Sequence, residues 1–358
     1  MYQYKIIKEK LIALIGKMNS GEKLSSRTVL CQRLQTTRTT LDRAINELID
    51  EGVLSSAKGS GTYVIGLLDG KMPFVDNWGV IVPSAEADVF PELIDGIKKT
   101  AKNYGINIIS CDSQNSYEKQ EFYIKRLLAI GASGFIIVPV VSKNAETSHQ
   151  LYRTLLQSNI PFVFCNRNVE GIDVPTVKST DFYGGYVATK HLLKQGYRRI
   201  AYIATQKYQT SIERCQGYLN ALLEKNIKIN RKYIYMPTSP SNDCYFKKAV
   251  ELLNQSNPPD AFFCFNDGIA EEIYKAVEFC NKKIGSDVGI MGYDNTNKAK
   301  ALIPPLTSMA YQSEMIGKKA AEVLWKRIHE KKSSSDFEYY IFQTVLVERD
   351  SCKKQRRS

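Results

Sequence analysis

Long apolar runs are missing from this chain. No stretch approaches the roughly 18 consecutive apolar residues that a membrane span needs, so no spanning segment is expected. The eight cysteines, at 31, 111, 165, 215, 244, 264, 280 and 352, contain no CxxC pair. Scattered through 358 residues, they read as reduced, mostly buried thiols of a reducing compartment, not as a disulfide framework or zinc site. Histidine is scarce. His149, His191 and His329 stand far apart, and each reads as structural, so no metal is expected. There is no GxGxxG, Walker or GxSxG motif and no clustered carboxylate pair. Catalytic residues and cofactors are therefore expected to be absent, although folding can still pair distant acids such as Asp267 and Asp294. Residues 1–18 carry Lys5, Lys8, Glu9, Lys10 and Lys17, which interrupt any apolar core of a secretion signal. A cytoplasmic location is expected.

What is present fits a globular protein of two or three domains, with 43% apolar and 24% charged residues. The net charge is +12, which suits a polyanionic partner without requiring one. A net +4 falls in residues 1–66, a strong excess for so short a segment. The last eight residues hold Lys353, Lys354, Arg356 and Arg357, and the basic tail 349–358 reads as a solvated end.

Residues 1–18 place Ile6, Ile7, Leu11, Leu14, Ile15 and Met18 at helical spacing. Ser25 or Ser26 is suited to cap a second helix carrying Val29, Leu30 and Leu34. Thr36 or Thr37 is suited to cap a third, striped by Leu41, Ala44, Ile45, Leu48 and Ile49. Two short strand signals then flank Lys58-Gly59-Ser60-Gly61. Residues 67–77 lack periodicity and read as a linker. From Trp78 onward, strand signals (79–82, 106–111, 134–138, 161–165, 199–203, 233–236, 261–265, 288–292) alternate with amphipathic stretches. That pattern predicts parallel sheets covered on both faces. The count suits an α/β domain, 78–348, of two doubly wound lobes. One lobe takes 78–175 and 308–331, and the other takes 176–307 and 337–348.

The third helix starts Thr36-Thr37-Arg38-Thr39-Thr40-Leu41-Asp42-Arg43. Hydroxyls and guanidinium groups at a helix N-terminus suit phosphates and base edges in the DNA major groove. Lys58 at a glycine-rich hairpin tip suits the adjacent minor groove. A small helical domain with a solvated basic face is the alternative. The segments Leu24-Ser25-Ser26-Arg27, Thr37-Arg38-Thr39-Thr40-Leu41, Glu47-Leu48-Ile49-Asp50-Glu51-Gly52-Val53-Leu54 and Gly59-Ser60-Gly61-Thr62-Tyr63-Val64 resemble the GntR family of bacterial regulators. The resemblance covers nearly all of residues 2–66 and implies a winged helix-turn-helix. It makes Arg27, Thr37, Arg38, Thr40, Arg43, Lys58 and Gly59 the DNA-facing candidates. Ser25 replaces a usual proline. Asp42 stands where a basic or polar residue is common, and its charge would repel phosphate.

In the larger half, polar residues recur just after strands, where open α/β lobes bind ligands. They include Asn166-Arg167, Ser211 and Arg214, Asn266-Asp267, and Tyr293-Asp294-Asn295, with Phe90 behind the first strand. Singly, each is compatible with a helix cap, Asp267 most of all. Together they describe a lined cleft. The stretches Ile160-Pro161-Phe162-Val163, Asp181-Phe182-Tyr183-Gly184-Gly185, Gly196-Tyr197-Arg198-Arg199-Ile200-Ala201 and Arg214-Cys215-Gln216-Gly217-Tyr218 resemble the LacI/GalR sensor domain and periplasmic sugar-binding proteins. So do Phe265-Asn266-Asp267, Val288-Gly289-Ile290-Met291-Gly292-Tyr293-Asp294 and Pro304-Pro305-Leu306-Thr307. The resemblance implies a ligand between two lobes, contacted by Phe90, Arg167, Arg214, Asn266, Asp267 and Asp294. Asn166 replaces the family's usual aspartate, and Pro139-Val140-Val141-Ser142 lacks an acid found in some relatives. Both departures suit a ligand with fewer hydroxyls, a deoxysugar or pentose. A GntR-type head on a LacI-type sensor is similar overall to the arabinose-responsive repressors of the AraR type.

The expectation is a homodimeric, effector-controlled DNA-binding regulator, a repressor, responding to a sugar. A sugar-binding protein without a DNA role and an enzyme acting on a sugar are the alternatives.

Overall fold

The computed structural model describes residues 3–16, 18, 22–50, 53–57, 61–64, 77–85, 89–140, 145–206, 208–238, 240–241, 243–329 and 338–353. The chain divides into two compact units, Met1–Asp76 and Asn77–Ser358.

The first unit runs α1 (Gln3–Ile15), α2 (Arg27–Leu34), α3 (Arg38–Asp50), β1 (Leu54–Ala57) and β2 (Gly61–Val64). Ile7, Leu11 and Ile15 of α1, Leu30 and Leu34 of α2, and Leu41, Ala44, Ile45 and Leu48 of α3 are all buried together. Most of the i, i+3, i+4 spacing read from the sequence is thus the core face of each helix, but Ile6 and Val29, read with it, are exposed. Ser26 caps α2 by accepting from the Val29 N–H at 3.4 Å, and Thr37 caps α3 by accepting from the Thr40 N–H at 3.3 Å. Gln35 ends α2 in the left-handed region, turning the chain sharply into α3. β1 and β2 pair antiparallel, Leu54 opposite Val64 and Ala57 opposite Gly61. Residues 22–24 add to this ribbon: the Leu24 N–H donates to Thr62 O at 2.8 Å and the Val64 N–H to Glu22 O at 2.9 Å.

The second unit begins β3 (Asn77–Val82), α4 (Phe90–Asn103), β4 (Asn107–Asp112), α5 (Tyr117–Ala129), β5 (Gly134–Ile137), α6 (Ala145–Gln157), β6 (Phe162–Cys165) and β7 (Thr176–Ser179). It continues α7 (Asp181–Lys194), β8 (Ile200–Ile203), α8 (Gln209–Glu224), β9 (Ile234–Tyr235), α9 (Cys244–Leu253), β10 (Ala261–Cys264), α10 (Asp267–Phe279) and β11 (Gly289–Asp294). It closes with α11 (Asn297–Ala301), β12 (Thr307–Ala310), α12 (Ser313–His329), β13 (Tyr339–Phe342) and β14 (Val345–Val347). Among the described residues these strands make two six-stranded sheets, ordered β13-β7-β6-β5-β3-β4 and β14-β12-β11-β10-β8-β9. The first is parallel throughout, and the second is parallel except for β14. The two orders are the same pattern repeated, each reversing direction beside its first strand. β5, β6, β8 and β10 are buried at every position, as strands covered on both faces must be.

The lobe seams differ from the sequence reading. β7 and β13 belong to the first sheet and β12 to the second. The chain therefore crosses between lobes three times: after β7, after β12 and between β13 and β14. These four-residue strands carry polar groups such as Thr176, Lys178, Ser179, Thr307 and Ser308. Without a long apolar run, only inter-strand pairing assigns them to a sheet. The chain end also departs from a solvated tail. Ser351 and Cys352 are fully buried. Ser351 Oγ donates to Ile290 O at 2.6 Å and accepts from the Thr307 N–H at 2.8 Å, sealing 349–353 against β11 and β12. All eight cysteines are free thiols.

Candidate nucleic-acid interface and effector cleft

On the first unit, the exposed side of α3 carries Arg38, Thr39, Asp42, Arg43, Asn46 and Glu47 along a shallow groove. Arg38 is 80% exposed, free to reach a partner. Its Nε lies 3.8 Å from Asp42 Oδ2, while Arg27 Nε donates to Asp42 Oδ1 at 2.8 Å. One carboxylate thus holds two guanidinium groups from different helices. The sequence reading set Asp42 aside as repulsive, whereas the structure makes it the group that positions Arg27 and Arg38. Such half-exposed pairs contribute little stability, but they do fix orientation. The Thr37 and Thr40 hydroxyls hydrogen-bond each other at 2.9 Å, and the Arg43 guanidinium lies 4.0 Å from the Tyr4 ring centre. Lys58 and Gly59 lie outside the described residues. Lys23 was missed by sequence reasoning. It bridges to Tyr63, and its stem fills the space a Cβ on Gly61 would take. A single bridging residue leaves no periodic signal.

In the second unit, the loops after the strands of both sheets converge on one cavity lined by Val89, Phe90, Asn166, Arg167, Thr210, Arg214, Phe265, Asn266, Asp294 and Tyr311. Carboxyl ends of strands flanking an order reversal leave such a crevice between diverging helices. The cavity holds about 50 Å³, far below the ~300–1,000 Å³ of a small-molecule site. A ligand of ring size needs more room than this arrangement leaves.

The two arginines differ in kind. Arg214, on α8, is buried, with its Nε donating to Asp181 Oδ1 at 2.7 Å and Nη1 donating to Phe265 O. Asp294 Oδ1 stands 3.9 Å from Nη1, and the guanidinium stacks on Tyr293 with 3.5 Å to the ring centre. Burial alone would lower its pKa, but Asp181, Tyr293 and Asp294 outweigh that and hold it above the ordinary value. Among the described residues Arg167 makes no ion pair, and Asp181, which pairs with Arg214, acts on it only at a distance. Arg167 stacks on Tyr208 at 4.0 Å, and its Nε and Nη1 are buried without a hydrogen-bond partner. Burial lowers its pKa from the ordinary value. Asn166 Oδ1 and the Tyr311 hydroxyl are likewise buried without a partner. Unsatisfied polar atoms are rare in native interiors; those of Asn166, Arg167 and Tyr311 share this cavity, while others, such as Trp78 Nε1 and Ser133 Oγ, lie away from it.

Asn166 and Asp294 both have positive φ, 62° and 98°. Asparagine tolerates that region better than aspartate, which gives position 166 a conformational reason for its residue. Asn295, beside Asp294, is held by Arg349 Nη2 at 2.6 Å.

Of the six effector candidates, Phe90, Arg167, Arg214, Asn266 and Asp294 line the cavity. Asp267 does not. Its Oδ2 accepts from the Thr296 N–H and hydroxyl at 2.7 and 2.9 Å, and its Oδ1 from Ser308 at 2.7 Å. It ties α10 to the loop after β11 and to β12. Asn266, beside it, caps α10 by accepting from the Ile269 N–H at 2.9 Å. Tyr311, Thr210 and Tyr208 were missed. Tyr311 follows β12, a strand without an apolar run, so no strand end pointed to it. Among the described residues no helix is long and apolar enough to cross a membrane, and no cluster of metal-ligating side chains occurs.

Comparison with known proteins places both units. Residues 3–64 match the gntR family of bacterial regulatory proteins, and residues 189–352 match a periplasmic binding protein-like domain. The arabinose metabolism transcriptional repressor of Geobacillus stearothermophilus is 25% identical, over 98% of this chain and 98% of its own. The HTH-type transcriptional repressor PurR of Actinobacillus pleuropneumoniae serotype 3 (strain JL03) is 29% identical, over 77% of this chain and 80% of its own. The crystal structure of a LacI family transcriptional regulator from Enterococcus faecium with bound ribose superposes with a TM-score of 0.66 at 26% identity. It covers 78% of this chain and all of that one.

Proposed function

Because the chain joins a GntR-type helix-turn-helix head to a periplasmic-binding-protein-like domain, we propose that it is an effector-controlled transcriptional repressor. Its relatives over nearly the full length and over the larger unit are named repressors, which favours regulation over transport or catalysis. A cytoplasmic location follows from a DNA-binding role. The observation that carries the effector half is the set of unsatisfied groups on Asn166, Arg167 and Tyr311 around one interlobe cavity. A polyhydroxylated ring supplies acceptors for Arg167 and Tyr311 and donors for Asn166, with Phe90 and Phe265 against its apolar faces. The proposed effector is accordingly a sugar. The relative named for arabinose metabolism and the structure with bound ribose support a pentose.

On the head, Thr37, Arg38 and Thr40 present the start of α3 to the major groove, and Arg27 and Arg43 flank it on phosphates. A homodimer supplies two heads for two half-sites. Effector-driven closure of the lobes changes the dimer and so the separation of the heads. DNA and effector then oppose each other reciprocally.

Two titrations test this. Arg38→Ala is expected to weaken operator affinity by about 1–3 kcal/mol without altering effector binding. Pentoses titrated onto the protein–operator complex are expected to release it. Operator binding by Arg38→Ala equal to wild type would remove α3 from the interface. A complex insensitive to pentoses, hexoses and deoxyhexoses would reject the sugar.

A further inference from the structure

A second, larger groove opens on the second lobe, at the C-terminal end of α7, the end away from Asp181. It measures about 590 Å³ and is lined by Val187, Lys190, His191, Leu193, Lys194, Arg198, Lys225, Ile227, Leu346 and Glu348. The walls are the C-terminal end of α7, the turn after α8, and β14 with the residue that follows it. We propose that this groove binds a small organic phosphate.

Four cations, Lys190, Lys194, Arg198 and Lys225, face one lining carboxylate, Glu348. Among the described residues only Lys190 of the four makes an ion pair, its Nζ donating to Glu224 at 2.7 Å; that bond lowers the Glu224 pKa, and Lys225 is near enough to help. Lys194 and Lys225 make no ion pair among the described residues. Glu348 stands 3.8 Å from the buried His191 ring. Gathering like charges within a Debye length of roughly 10 Å raises their mutual energy, and a dianion between them relieves it. The carbonyl end of α7 would oppose an anion, but Arg198 Nη1 donates to Leu193 O and Tyr197 O, each at 2.8 Å. Those bonds blunt the helix terminus and hold the guanidinium at the rim. Lysines act as point charges for phosphate, while Val187, Leu193, Ile227 and Leu346 offer an apolar floor for a carbon skeleton. Inorganic phosphate would use only the rim. A phosphate on a sugar-sized body would use both.

The groove is placed to act on the lobes. Leu346 lies in β14, directly after the third crossing, and α7 follows the first. A ligand bridging α7 to β14 ties together two elements that adjoin the crossings between lobes. The proposal stands on its own residues and does not depend on the cleft ligand.

The test is isothermal titration of the full chain with glucose 6-phosphate, glucose, inorganic phosphate and citrate as probes. The comparison set is wild type, Lys194→Glu/Lys225→Glu and Arg167→Leu. The expected result is one saturable site for glucose 6-phosphate, at least tenfold tighter than for inorganic phosphate or citrate, and none for glucose at this groove. Charge reversal is expected to weaken it at least tenfold, with an unchanged circular dichroism spectrum, and Arg167→Leu is expected to leave it intact. No saturable binding would overturn the proposal, as would equal affinity in the charge-reversed protein. Loss in Arg167→Leu alone would move the phosphate to the cleft and overturn it too. Citrate as tight as the sugar phosphate would reject phosphate as the class.

Discussion

Arg167 and Arg214 meet at one cavity, yet replacing them should have opposite consequences. Removing Arg214 leaves Asp181 buried without its partner, a loss of about 3–5 kcal/mol. The damage would spread to stability and blur any effector assay. Arg167 has buried N–H groups without partners and makes no ion pair among the described residues, so removing it takes away a cost of folding. Arg167→Leu is therefore expected to keep or raise the melting temperature while abolishing the effector-induced thermal shift. A lower melting temperature with an intact shift would reverse the two roles. His191 sets a pH dependence. Burial lowers its pKa below 6.5, Glu348 pulls it back and Lys194 adds to the fall. The unfolded chain thus takes up a proton that the folded chain resists. Stability rises with pH towards about 6.5 and is flat for this group above it. Melting temperature is expected to climb over that range, and His191→Gln to flatten the climb. An identical slope in the variant would assign it to other groups.

At the scale of elements, each lobe rests on one pair of helices in backbone contact. In the second lobe, a Cβ on Gly217 of α8 would lie 2.0 Å from Phe182 O and 2.5 Å from Tyr186 N of α7. The first lobe repeats the device, with Gly317 of α12 against Leu93 O of α4 at 2.1 Å. Side chains yield to an intruding methyl, but backbone does so only by moving the helix. Gly217→Ala is expected to cost about 3 kcal/mol, the upper end for an overpacked methyl, in urea unfolding. Unchanged stability would mean that α7 and α8 separate freely. The Asp181–Arg214 pair bridges the same two helices, so this contact also sets the cleft.

At the scale of the whole molecule, the two-headed mechanism requires a dimer. Ile303 and Phe279 in the second lobe are 84% and 67% exposed, large apolar groups near the linked α10 and α11. Isolated exposed apolar residues are ordinary, so only measurement gives them meaning. Sedimentation is expected to show a dimer that Ile303→Asp/Phe279→Asp weakens at least tenfold. A wild-type monomer, free and on DNA, would defeat the mechanism. A dimer indifferent to the substitutions would place its interface elsewhere.

The sequence by itself determined the elements. Helix stripes and strand runs are local, repeating every two or three to four residues, whereas the choice of Ser26 over Ser25 and of Thr37 over Thr36 as caps came with the structure. The rule that ligand groups follow strand ends is local too, and it brought Arg167, Arg214, Asn266 and Asp294 into view. The tertiary structure alone decided what those groups touch. Asp267 sits where a ligand residue is expected, yet Thr296 and Ser308 occupy both its oxygens. Asp42 looked repulsive, yet it positions two arginines. β7, β12 and β13 join lobes their sequence neighbours do not, and Tyr311 enters the cavity with them. Apart from the one-turn contact between Arg38 and Asp42, these outcomes depend on pairing between residues well separated in sequence, and no local periodicity carries that.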